Sequence, residues 1–307
     1  MRIAVFGAGG VGGYFGGRLA AAGSDVSFIA RGAHLAAIRE RGICIQSPLG
    51  TIHPPRVNAT DDPSAIGPVD LVLFTVKLYQ TEAAVRQLSP LIGPDTLVVP
   101  LQNGVESVDV LGRALGPEHV AGGTAYLAAV VSEPGTIRHT AMNKMIVGLP
   151  GGGSSALLDR LVQAGRKAGF DAQLSPSITV EIWAKFARLT VFSGMTAVTR
   201  CSIGALRDDV ALAEMMRGAL RESIMVARAK GIPLTDALVD DVQVDVAALP
   251  WNAKSSMLED LERGRPLELP WLSGAVVRIG QEVGIETPIH RFIATVLKPH
   301  ADGHIKK

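Results

Sequence analysis

The sequence predicts an α/β protein: an N-terminal Rossmann-type parallel sheet domain followed by an all-helical C-terminal domain. Three observations carry this. The first 31 residues read strand, glycine loop, helix, strand. Short apolar runs then alternate with helical stretches as far as Leu174. After Ser175-Pro176 the strand signals nearly vanish, which sets the boundary at residue 175 and divides the chain into 1–175 and 176–307. At 307 residues the chain exceeds one ordinary core, in keeping with two domains.

Arg2-Ile3-Ala4-Val5-Phe6 is a short apolar run suited to a buried parallel strand. It enters Gly7-Ala8-Gly9-Gly10-Val11-Gly12, a G-x-G-x-x-G loop, and then a helix from Gly13 to Ala22 with Phe15, Leu19 and Ala22 at helical spacing. A turn at Gly23-Ser24-Asp25 leads to a second strand, Val26 to Ala30, which ends at Arg31. The hexapeptide alone would fit any glycine-rich turn, but the whole unit is a dinucleotide-binding context. Gly7 makes the tight turn, Gly9 lets backbone approach a pyrophosphate, and Gly12 lets helix and strand pack closely. The helix N-terminus offers N–H groups and a positive dipole end to phosphate.

The end of the second strand distinguishes the dinucleotides. An NAD site places Asp or Glu there for the ribose hydroxyls, whereas this strand ends Ala30-Arg31 with no acid until Glu40. An arginine fork suits a 2′-phosphate, so the cofactor read here is NADPH. In open parallel sheets ligands bind beyond the carboxyl ends of the strands. Lys77 follows the apolar run Val69–Val76, and Asn103 follows Thr96–Leu101 by one residue. With Arg31, these residues share a topological position at which a cation and an amide can meet cofactor or substrate.

The remaining elements follow in order. Gly32 to Glu40 reads as a helix, and Ile43–Ile45 with Thr51–His53 as a small hairpin; His53, beside Pro54-Pro55, is a loop histidine. Thr81 to Leu88 is a helix. Val120–Val131, Thr136–His139 and Lys144–Gly148 are strands expected to pair antiparallel at the far edge of the sheet. A helix from Ala156 to Ala168 and a strand from Phe170 to Leu174 complete the first domain. In the second, a long helix runs to about Thr199 with Ile182, Phe186, Leu189 and Phe192 at apolar positions, and it carries Trp183-Ala184-Lys185. Lys185 thus sits among apolar neighbours near the start of the new domain. Further helices cover Asp209–Lys230, Asp236–Leu249 and Lys254–Arg263, with a last one from Trp271 to Val283 and a loose polar tail from Pro299.

Composition bounds the partners. Thirty Lys and Arg nearly balance 29 Asp and Glu, so neither nucleic acid nor an anionic membrane is implied. No run reaches the eighteen apolar residues of a membrane span. Cys44 and Cys201 are far apart, without metal-ligand spacing, which fits a reducing, cytoplasmic setting and no metal. Periodicity does not separate a homodimer face on the helical domain from core.

The chain resembles the ketopantoate reductase (2-dehydropantoate 2-reductase) family over almost its whole length. The carriers are the glycine loop, Thr75-Val76-Lys77, Leu101-Gln102-Asn103-Gly104-Val105, Trp183-Ala184-Lys185-Phe186, and Ser255-Ser256-Met257-Leu258-Glu259-Asp260 followed by Glu268. The resemblance implies NADPH-dependent reduction of ketopantoate to pantoate, on the route to pantothenate and coenzyme A. It implies Lys185 as proton donor, Glu268 as the acid that orients nicotinamide ribose and substrate, Asn103 in contact with both ligands, and Ser256 at the substrate carboxylate. Arg31 and Lys77 would be cofactor-side cations, and Ala129 a backbone contact to the cofactor.

Departures from the family pattern bear on the substrate. Where the family helix carries asparagines four and eight residues after the lysine, this chain has Leu189 and Ser193. Leu267 replaces the threonine common before the late glutamate. Losing a polar contact costs on the order of 1–3 kcal/mol, so a more apolar 2-keto acid is an alternative substrate. A non-catalytic NADP(H)-responsive binder is the alternative from another class, though such a protein needs neither Lys185 nor Glu268. Ser256 as a helix cap, Glu268 as a solvated turn residue and Lys185 as an amphipathic-face lysine are the plain structural readings of the same residues.

Overall fold

Apolar runs separated by helices become two sheets in the computed structural model, which describes residues 1–54 and 57–304. The elements in chain order are β1 (Arg2–Phe6), α1 (Gly10–Ala21), β2 (Asp25–Ile29), α2 (Gly32–Arg41), β3 (Cys44–Gln46), β4 (Asn58–Thr60), β5 (Leu71–Phe74), α3 (Thr81–Val85), β6 (Leu97–Pro100) and α4 (Ser107–Leu115). Next come β7 (Gly122–Glu133), β8 (Thr136–Gly148), α5 (Ala156–Lys167) and β9 (Asp171–Leu174). The rest is helical: α6 (Ile178–Thr199), α7 (Ile203–Asp208), α8 (Val210–Ala229), α9 (Ala237–Ala248), α10 (Ser256–Glu262), α11 (Ser273–Val283) and α12 (Pro288–Leu297). The expected class, a parallel sheet followed by helices, is the class observed.

The first sheet has the order β4-β2-β1-β5-β6 and is parallel throughout. Central β1 is buried on both faces because successive side chains alternate. Ile3 and Val5 join one apolar cluster with Phe15, Leu19 and Phe28, while Ala4 and Phe6 join another with Phe74, Leu88 and Val98. A second sheet has the order β3-β8-β7 with β9 on β8, and an isolated parallel bridge between Val98 and Val120 links it to β6 of the first.

Helix α1 packs against both sheets, and its glycines make that possible. A Cβ at Gly12 would meet the Gly7 carbonyl, Thr75 and Val5, and one at Gly16 would meet Val5 and Phe28 of the first sheet. Cβ atoms at Gly13 and Gly17 would meet Ile137 and Ile45 of the second. Larger residues would overpack, at a typical cost of about 1–3 kcal/mol each.

The chain forms two compact units, Met1–Gln102 with Glu106–Glu181, and Asn103–Val105 with Ile182–Lys307. Among the described residues no helix is long and apolar enough to cross a membrane.

Several elements differ from expectation. The hairpin of residues 43–53 shrinks to one antiparallel bridge between Ile45 and Ile52, because β3 pairs in parallel with β8 instead. Residues 136–148 form one continuous strand, and it pairs antiparallel with β7 in the second sheet rather than at the edge of the first. Trp271–Val283 does not hold the last helix: Pro288 starts α12. The tail is docked as far as it is described, since Leu267 N–H donates to the Ala301 carbonyl at 2.8 Å. Residues 305–307 and Pro55 lie outside the described residues.

In the second unit α12 carries a fully buried His290. Its Nε2–H donates to the Ala219 carbonyl at 2.9 Å, leaving Nδ1 to accept from the Ser273 hydroxyl at 3.3 Å. Burial pushes this imidazole down to about 4. The unfolded chain therefore takes up a proton near pH 6.5 that the folded chain refuses until about pH 4. Stability from His290 is whole above pH 6.5 and drains as pH falls toward 4, a loss on the order of 3 kcal/mol. Urea unfolding across this range should show that loss, while the His290 ring resonances remain those of neutral imidazole at pH 5.

Candidate active site

In the first unit the glycine loop joins β1 to α1. Gly7 has φ +108°, a region that favours glycine, and it turns the chain. A Cβ at Gly9 would have no atom within 4 Å, so the backbone is open there to an approaching group. No side chain caps α1 and its first turn holds no acid, which leaves the positive end of the helix available to an anion. Thr75 Oγ1 donates to the Gly7 carbonyl at 2.6 Å and so holds the loop to the end of β5. On its other side Gly10 lies against the Ala129 carbonyl, where no side chain would fit.

A cavity of about 300 Å³ opens beside this loop, lined by Gly7, Gly9, Ala30, Arg31, His34 and Val76 among others. Arg31 is exposed and N-caps α2 with an extended backbone; its Nη2 donates to Gln87 Oε1 at 2.9 Å. Lys77 is also exposed, at the turn after β5, where its carbonyl accepts from Gln80 N–H at 2.9 Å. Open backbone at Gly9, an uncapped helix and a cation at the end of β2 together fit a dinucleotide.

The second unit brings three of the expected residues together. Lys185 Nζ donates to Asn103 Oδ1 at 3.1 Å, and Asn103 Nδ2 donates to Glu268 Oε2 at 3.2 Å. The amide therefore points its acceptor at a cation and its donor at a carboxylate, the orientation charge requires. Each side chain is placed by its own element. Lys185 lies on α6 between buried Trp183 and Phe186, whose rings pack edge to face at 5.6 Å. Asn103 precedes Gly104, whose φ of +85° turns the chain away after β6. Glu268 starts a 3-10 turn in which its carbonyl accepts from Trp271 and Leu272 N–H at 3.0 and 3.1 Å.

Glu268 is 7% exposed, so the solvated-turn reading is overturned. Leu267 and Leu269 on either side are core residues. Desolvation pulls the Lys185 ammonium down from 10.5 to about 8, and the Glu268 carboxylate opposes the shift. Such a lysine is mostly protonated at neutral pH yet releases its proton far more readily than an exposed one.

The remaining expected residues are placed differently. Two turns along α6 from Lys185, Ser193 is buried, and among the described residues its hydroxyl has no partner. Leu189, one turn along, is half-buried. Ser255, not Ser256, caps α10, accepting from Leu258 N–H at 3.0 Å and lying 2.7 Å from Thr196 Oγ1. Ser256 is left exposed at the first helical position.

Sequence reasoning missed His34 and Gln102. The His34 Nε2–H donates to the Ala8 carbonyl of the glycine loop at 2.8 Å, and its Nδ1 accepts from Gly135 N–H at 3.0 Å. Burial lowers its pKa, so the ring is neutral and its tautomer is fixed. Gln102 Nε2 donates to the Val76 carbonyl and to Thr81 Oγ1, both at 2.8 Å, while its buried Oε1 has no partner among the described residues. Gln102 stands beside Asn103 in the Leu101–Val105 motif; nothing local marks His34.

The family model described as ketopantoate reductase PanE/ApbA matches residues 3–152, and that for its C-terminal domain matches 177–301. The chain belongs to the ketopantoate reductase family. Relatives of similar length agree. The 2-dehydropantoate 2-reductase of Mesorhizobium japonicum is 33% identical, covering 94% of each chain. A solved PanE/ApbA family ketopantoate reductase from Ralstonia eutropha JMP134 has a TM-score of 0.90 at 32% identity, covering 98% of each chain. The 2-dehydropantoate 2-reductase structure from Geobacter metallireducens GS-15 has a TM-score of 0.92 at 30% identity, covering 97% of this chain and 99% of that one.

In this ketopantoate reductase family member the Lys185 proton can be followed directly. The Lys185 ammonium, labelled and observed by NMR, should titrate near pH 8. Glu268→Gln removes the charge that favours the cation, so the midpoint should fall. A midpoint near 10.5, or one unmoved by the substitution, would contradict the electrostatics above.

Proposed function

We propose that this protein is an NADPH-dependent 2-keto acid reductase that converts 2-dehydropantoate to pantoate, serving pantothenate and coenzyme A biosynthesis in the cytoplasm. The observation that carries the reading is the hydrogen-bonded chain Lys185–Asn103–Glu268, a proton donor with lowered pKa held by an amide and a carboxylate. Residues 1–175 are assigned to NADPH and 176–307 to the substrate.

Gly7, Ala8, Gly9, Gly10, Val11 and Gly12 would hold the pyrophosphate, Arg31 the 2′-phosphate, and Lys77 and the Ala129 backbone other parts of the nucleotide. Bound NADPH supplies the hydride. Lys185 carries the proton at Nζ and gives it to the carbonyl oxygen as negative charge develops there. Before transfer, the same ammonium polarises that oxygen. Asn103, already hydrogen-bonded to Lys185, fixes the direction of its N–H groups. Glu268 keeps Lys185 protonated near neutrality and orients nicotinamide ribose and substrate. The hydroxyls of Ser256 and Ser193 are the proposed contacts to the substrate carboxylate and hydroxyl.

Half-buried Leu189, one turn beyond Lys185, favours a second reading in which the preferred 2-keto acid is more apolar than ketopantoate. Following NADPH absorbance against ketopantoate and a panel of branched and aromatic 2-keto acids tests both. Oxidation with at least one is expected, with kcat falling as pH rises through about 8, because the deprotonated amine cannot donate. Lys185→Ala should lower kcat by about 10²–10⁴-fold with NADPH binding retained. Under the second reading Leu189→Asn raises kcat/KM for ketopantoate, by about tenfold for one restored polar contact. Wild-type protein that binds NADPH but oxidises it with no member of the panel would end the reductase reading.

A further inference from the structure

Arg31 is exposed on a strand end, and an exposed guanidinium has many rotamers to lose before it can grip a phosphate. One side chain limits that freedom. Gln87, beyond the C-terminal end of α3, accepts from Arg31 Nη2 through Oε1 at 2.9 Å, and its own Nε2 donates to the Ala83 carbonyl at 3.2 Å. The second bond fixes which end of the amide faces Arg31. Turning Oε1 away would also break the bond from Nε2 to the Ala83 carbonyl.

The chemistry of the acceptor matters as much as its position. A carboxylate would hold the guanidinium more tightly but would also cancel its charge before a phosphate arrived. An amide oxygen orients and leaves the charge unspent. The surroundings follow the same rule. Among the described residues lining the cavity beside the glycine loop, Arg31 carries the only full charge, and His34 is committed as a neutral ring to Ala8 and Gly135.

We propose that Gln87 is a positioning residue for cofactor selectivity, holding the Arg31 guanidinium ready as an uncompensated cation for the 2′-phosphate of NADPH. This rests on the assignment of Arg31 to that phosphate, and the experiment separates the two. Dissociation constants for NADPH and NADH, with KM and kcat, are measured for wild type, Arg31→Ala, Gln87→Met, Gln87→Glu and the double variant Arg31→Ala with Gln87→Glu.

Arg31→Ala should weaken NADPH by about tenfold or more and leave NADH within about twofold. Gln87→Met keeps the bulk and removes the acceptor; NADPH should weaken a few-fold through KM, with kcat unchanged. Gln87→Glu supplies a competing carboxylate and should weaken NADPH by about tenfold, again sparing NADH. In the Arg31→Ala background Gln87→Glu should add little.

Equal loss of NADPH and NADH on Arg31→Ala would refute the phosphate assignment itself. Selectivity that responds to Arg31→Ala but not to Gln87→Met or Gln87→Glu would overturn the role of Gln87 alone. If Gln87→Glu weakens NADPH as much without Arg31 as with it, its charge repels the phosphate directly and the positioning role is likewise lost.

Discussion

An ammonium group partly withdrawn from water is tolerable only where something replaces the hydration it gave up, and Lys185 finds that replacement in one amide and one carboxylate. Removing a single partner from a buried ion pair typically costs about 3–5 kcal/mol, because the other charge is left stranded. The Asn103 amide is suited to its place, since it offers one acceptor and one donor in a plane. An aspartate there would put a second anion beside Lys185 and hold the proton too firmly. A leucine would leave Lys185 and Glu268 each short of a hydrogen bond. Burial lowers the Lys185 pKa and the Glu268 carboxylate restrains the fall, while the neutral Asn103 amide joins the two without adding a charge.

Much of this was legible in the chain. Gly7 and Gly12 do what a strand–loop–helix unit demands of them, one turning the chain and the other clearing space under α1. Of the residues expected around Lys185, Asn103 and Glu268 are bonded in series with it; Ser193 lies two turns along α6 and Ser256 opens α10. The second sheet was harder to see. Residues 43–53 carry a hairpin's alternation, and Ile45 and Ile52 do exchange backbone bonds, but β3 satisfies itself on β8, more than ninety residues ahead. Alternation reveals that a strand exists, not which strand it will choose. Helix α12 was missed although Thr287-Pro288 followed by Ile289, Phe292 and Ile293 carries a helix start and an apolar face. The last helix read from the sequence ends at Gly284, which does close α11, and the stretch 285–298 receives no element.

His34 and Gln87 show a different limit. His34 joins a carbonyl 26 residues before it to an amide 101 residues after it, and Arg31 reaches Gln87 across 56 residues. Neither residue lies in a motif, and a lone histidine or glutamine on a helical stretch has no local feature that announces a partner. Both use neutral acceptors. Around the glycine loop the chain builds rigidity from amides, carbonyls and an uncharged imidazole, leaving full charge for a ligand.

The brief excursion at Asn103–Val105 has its own consequence. These three residues group with the helical unit although the chain on both sides of them groups with the sheet unit. A gene cut at residue 181 would therefore yield a helical fragment that carries Lys185 and Glu268 but lacks the amide that links them. A swap of halves between relatives would set this chain's Lys185 and Glu268 against whatever residue the other protein carries at the Asn103 position. The polypeptide is modular to the eye, yet the chain Lys185–Asn103–Glu268 draws on residues from both sides of such a cut.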